Sequence, residues 1–80
     1  MSQMVSGRYV NYSNGIYYDA ARISSNGTFV EAHNVNSGTW YDVWSSGGRK
    51  IVDLSLEGYT VYAHLDNGRK EQACLLSIAY

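Results

Sequence analysis

Gly58-Tyr59-Thr60-Val61-Tyr62-Ala63-His64-Leu65-Asp66-Asn67-Gly68 is the stretch that decides the fold. Two glycines ten residues apart enclose a run of β-branched and aromatic residues, a composition that suits a pleated, half-buried surface. Within it Tyr59, Val61, Ala63 and Leu65 alternate with Thr60, Tyr62 and His64, the period of two that belongs to a strand. The closing Asn67-Gly68 is a hairpin signal, because both residues accept the positive φ of a type I′ turn.

The same punctuation extends along all 80 residues. Glycines at 7, 15, 27, 38, 48, 58 and 68 stand 8 to 12 residues apart, the spacing of a chain built from short strands and turns. Asn14-Gly15 and Asn26-Gly27 repeat the strong hairpin dipeptide, Ser37-Gly38 and Gly47-Gly48 are weaker versions, and Glu57-Gly58 is a turn by spacing alone. Strand composition fills Arg8–Tyr12, Ile16–Ser24, Thr28–Val35, Thr39–Trp44, Lys50–Leu56, Tyr59–Leu65 and Glu71–Tyr80. Glu71–Ala79 is also rich in helix formers, so helix competes with strand there. Connections this short join antiparallel neighbours, since a parallel crossover needs a dozen residues or more. The expected fold is an all-β antiparallel meander of about six or seven short strands, barrel-like or a sandwich, with oligomerisation as a way to cover its edges. It occupies residues 7–80 as one domain, with residues 1–6 as a disordered tail.

Composition narrows the function. Charged residues make up 16% of the chain and aromatics 14%, with a net charge of -1, which argues against disorder and against tight binding to nucleic acid phosphates. The lone Cys74 cannot form an intramolecular disulfide, and Ala73-Cys74-Leu75-Leu76 reads as a small buried thiol without the cationic neighbour a nucleophile needs. No run approaches the ~20 apolar residues of a membrane span. The N-terminus lacks a signal-peptide pattern, so the expected location is the cytoplasm, or outside the cell after release without a cleaved signal. His33 and His64 lack the spacing of a zinc site, no GxSxG is present, and no glycine-rich loop precedes a helix, so neither metal, cofactor nor enzymatic activity is expected.

Strict alternation sorts each strand into two rows. The core row is Ile16, Tyr18 and Ala20; Thr28, Val30 and Ala32; Tyr41 and Val43; Val52, Leu54 and Leu56; Tyr59, Val61, Ala63 and Leu65; and Cys74, Leu76, Ile78 and Tyr80. The opposite row mixes large aromatics with short polar groups: Tyr17, Asp19, Phe29, Glu31, His33, Trp40, Asp42, Trp44, Tyr62 and His64. Trp40 and Trp44 on one strand face would stand about 13 Å apart at ~3.3 Å per residue. An exposed aromatic patch of this kind marks an interaction site, unless a second sheet or subunit buries it. The residues expected to bind ligand are therefore Trp40, Asp42, Trp44, Tyr17, Asp19, Tyr62, His64 and His33. Indole and phenol rings pack on the C–H faces of sugars while carboxylates, amides and imidazoles meet the hydroxyls. The sequence thus reads as a non-catalytic, lectin-like carbohydrate-binding module. A protein partner is the alternative, through a small inhibitor, an immunity-type protein or a homo-oligomeric structural protein that buries the same aromatics.

Overall fold

The computed structural model describes residues 4–11 and 16–76. Seven strands follow one another: β1 (Met4–Asn11), β2 (Ile16–Ile23), β3 (Phe29–Asn34), β4 (Thr39–Ser45), β5 (Ile51–Glu57), β6 (Thr60–Leu65) and β7 (Lys70–Leu75). Every ladder joins consecutive strands antiparallel, so the expected meander is present. It is divided into a four-stranded sheet β1-β2-β3-β4 and a three-stranded sheet β5-β6-β7, rather than closed into a barrel. Met4–Ser6, expected in the tail, belong to β1, and Lys70–Leu75 is strand rather than helix. Among the described residues no helix is long and apolar enough to cross a membrane.

The break between the sheets follows from local chemistry. Gly47 and Gly48 take φ of +73° and +94°, backbone that L-residues rarely adopt, and turn the chain from one sheet to the other. The crossing is pinned to the β2–β3 turn: Ser46 N donates to Thr28 O (3.0 Å) and Ile51 N to Gly27 O (2.7 Å). In that turn Asn26 Oδ1 accepts from Thr28 N at 3.2 Å and from Ser24 Oγ at 2.6 Å, the local bonding that makes asparagine a turn residue. No described non-glycine residue has positive φ. The Asn26-Gly27 and Asn67-Gly68 turns are therefore not type I′, since only the glycine takes the left-handed conformation. Asn14-Gly15 lies outside the described residues.

Both sheets turn their apolar rows toward one core of Ala21, Val30, Ile51, Leu54, Val61, Ala63, Leu65 and Leu76. The central strands β3 and β6 keep strict alternation, with Val30, Ala32, Val61, Ala63 and Leu65 buried as expected. Elsewhere the alternation is corrected by β-bulges, each of which inserts one residue and turns the following side chains over. Asp19 is the extra residue of β2, so Ala21 rather than Ala20 enters the core. Val52 is the extra residue of β5, so Ile51 and Leu54 are buried while Val52 is 43% exposed. Val43 is the extra residue of β4 and Ala73 of β7. Thr28 and Tyr59 lie outside the strands, with Tyr59 65% exposed, and Tyr41 is 46% exposed on edge strand β4. Cys74 is half-buried against the core and burial pushes its thiol up to about 11, as an inert thiol requires. The Ile16 side chain, Ile78 and Tyr80 lie outside what the structure describes.

Each edge strand, β1, β4, β5 and β7, carries one of these irregularities. Bulges twist an edge away from regular pairing and so blunt its capacity to add a second copy.

Candidate functional site

The break between the sheets and the bulge at Val43 divide the expected binding residues among three places. Tyr17, Asp19, His33, Trp40 and Asp42 share the outer face of the first sheet. Tyr62 and His64 lie on the outer face of the second sheet, across the core from them. Trp44 is corrected: the bulge at Val43 sets it opposite Val30, which is fully buried, and both Val43 and Trp44 pack against the core. The continuous aromatic face expected from alternation is thus two faces, with one tryptophan turned inward.

On the first face His33 is the centre. The bulge that inserts Asp19 swings its carboxylate beside the imidazole, with His33 Nδ1 and Asp19 Oδ1 2.7 Å apart. A carboxylate only accepts, so His33 donates through Nδ1 and its Nε2 is left to accept. Across the ladder His33 faces Trp40, whose ring lies 5.1 Å away, tilted by 48°. The Arg22 guanidinium sits 4.0 Å from the centroid of the same indole, and Arg22 Nε is bonded to Glu31 Oε1 at 2.9 Å. The indole thus contacts a cation and an imidazole instead of standing bare. Asp42 is exposed, two residues from Trp40 on the same strand face. Its register partner is Glu31, a like charge, and among the described residues Asp42 has no hydrogen-bond or ion-pair partner. Tyr17 lies further along β2 with Arg8 5.5 Å over its ring.

On the second face Ser55 Oγ and His64 Nε2 are 2.7 Å apart, and Asp53 is His64's register partner on β5. Lys70 Nζ lies 4.7 Å over the Tyr62 ring and bonds Glu57 Oε2 at 3.0 Å. The Lys70 hydrogen bond holds the Glu57 carboxyl below its usual value of 4.5. A carboxyl with a depressed folded pKa contributes stability above its unfolded pKa and loses it as pH falls through the folded value. Wild type is therefore expected to melt above Glu57→Gln at pH 7, with the gap closing as pH falls below the ordinary carboxyl value of 4.5. Thermal melts across that range check it, and a constant gap would remove the ion pair from the acid response.

No family model, curated protein or solved structure matches this chain.

The reading from sequence missed Arg22, which alternation puts in line with Tyr18 and Ala20. A charge in an apolar row is itself the sign of a bulge, and Arg22 was that sign. It also missed Ser55, Glu57 and Lys70, whose meeting depends on which strands pair and in what register.

Proposed function

We propose that this chain is a non-catalytic recognition module that binds a carbohydrate on the outer face of β1–β4. The observation that carries the reading is Trp40 beside the unpartnered, exposed Asp42 on edge strand β4. Like charges directly opposite on a ladder destabilise a sheet, by up to about 1 kcal/mol on the scale of cross-strand pairs. Glu31 and Asp42 stand in that relation, but Arg22 offsets the Glu31 charge, which leaves Asp42 with its acceptor capacity open to the hydroxyls of a sugar. Asp19 and His33 form a fixed, polar second contact next to the ring. Arg22 does not close the site: an exposed cation–π contact is worth about 0.5–1 kcal/mol, against about 8 kcal/mol for micromolar binding. Its ion pair with Glu31 adds about 0–1 kcal/mol, so the guanidinium can move from the indole to sugar hydroxyls at a cost well below the binding energy.

The test is a glycan array. The native protein is expected to be retained on a defined set of glycans, and Trp40→Ala and Asp42→Asn are each expected to lose retention while keeping the β-sheet circular dichroism of the wild type. A native protein that gives a flat array overturns the proposal.

The second reading is a protein partner: a small inhibitor, an immunity-type protein or a homo-oligomer. It draws on Val35 and Tyr41, 45% and 46% exposed beside edge strand β4. It predicts a complex larger than the monomer on size exclusion, with no response to sugar.

A further inference from the structure

Two of the central strands carry the same pattern, Val30-Glu31-Ala32-His33 in β3 and Val61-Tyr62-Ala63-His64 in β6. In both, the valine and alanine are buried and the histidine faces outward. Each histidine meets a side chain of the preceding strand at 2.7 Å, Asp19 for His33 and Ser55 for His64. Near each lies a cation on an aromatic ring, tied down by a glutamate: Arg22 on Trp40 with Glu31, and Lys70 on Tyr62 with Glu57. The members exchange places, since the ring comes from edge strand β4 in one sheet and from central strand β6 in the other. The kinds of group nevertheless correspond: an imidazole with a hydrogen-bond partner, and a cation held over an aromatic ring by a glutamate.

We propose that the outer face of β5–β7, around Tyr62, His64 and Lys70, is a second carbohydrate site, which makes a single chain bivalent. This rests on the carbohydrate reading of the first face. Because both sheets turn inward to one core, the two faces look away from each other, and one chain bridges two glycans. Charge narrows the class of sugar. Asp19, Glu31 and Asp42 outnumber Arg22 and Arg8 on the first face, and Asp53 and Glu57 outnumber Lys70 on the second. Both faces repel uronic and sulfated sugars and suit neutral ones.

The experiment titrates the full-length, isotope-labelled chain with lactose, mannotriose and N-acetylchitotriose, following the Trp40 indole and the backbone amides of Tyr62 and His64. Latex beads coated with the same sugars report bridging, and light scattering establishes that the protein is monomeric. One of the sugars is expected to shift both sets of signals, to saturate at two equivalents and to cluster its beads. Tyr62→Ala is expected to weaken the second site by roughly tenfold or more, leave the Trp40 response intact and abolish clustering. Should that variant unfold, Lys70→Ala on edge strand β7 makes the same test. Saturation at one equivalent with shifts confined to Trp40 overturns the second site and leaves the first. Shifts confined to Tyr62 and His64 uphold the second site and overturn the first. No shift with any of the three sugars overturns both.

Discussion

Truncating Leu54 to alanine is expected to cost about 2–5 kcal/mol, while truncating Val52, two residues earlier, should change stability by about 0.5 kcal/mol or less. Leu54 is 2% exposed and among the largest side chains buried between the sheets, whereas Val52 is 43% exposed at the β5 bulge. A domain of 80 residues has about 0.05–0.15 kcal/mol of stability per residue, or about 4–12 kcal/mol in all. The Leu54 cavity therefore removes a large share of what keeps this chain folded, and its melting point should drop by roughly 10 °C or more. Urea and thermal unfolding followed by circular dichroism separate the two variants. Unbroken alternation puts Val52 and Leu54 on the same face and expects comparable losses from both. Equal losses would mean that β5 pairs with β6 without its bulge, and the division of the second sheet's two faces would fall with it.

That contrast also marks how far the sequence could be read. Regularly spaced glycines and β-branched runs depend on local backbone preferences, so strands, turns and antiparallel order were legible. The rows of β3 and β6 were legible too, because neither strand carries an inserted residue. The four edge strands, and β2 although it is paired on both sides, were less so. A bulge is chosen by how a strand fits its neighbour over the core, and neither Asp19 nor Val43 nor Val52 announces itself as an inserted residue. Only Arg22, a charge in line with Tyr18, betrayed the change of register in β2. The candidate site suffered most, because each bulge moves functional side chains: it brought Asp19 to His33, and it took Trp44 away from Trp40.

The two tryptophans should accordingly separate binding from stability. Trp40→Ala removes an indole that contacts Arg22 and His33 on an outer face, so stability should fall only by about 1 kcal/mol, the scale of an exposed cation–π or cross-strand contact. Glycan retention should be lost. Trp44→Ala leaves a gap beside Val30 and the core, and because the indole is only partly buried its cost should reach about 2–4 kcal/mol, somewhat below the ~3–5 kcal/mol of a fully buried aromatic. Glycan retention should survive in the folded fraction. Fluorescence reports on the same division, because each variant leaves one indole. With Trp44 alone the emission should be blue-shifted and indifferent to sugar, and with Trp40 alone it should lie further to the red and respond to sugar. The pair of mutants discriminates between the two arrangements of β4. If Trp44→Ala abolished retention without changing the unfolding midpoint, Trp44 would belong beside Trp40 on the outer face. The bulge at Val43 would then be absent, and the binding surface would be the longer, two-indole platform that alternation alone describes.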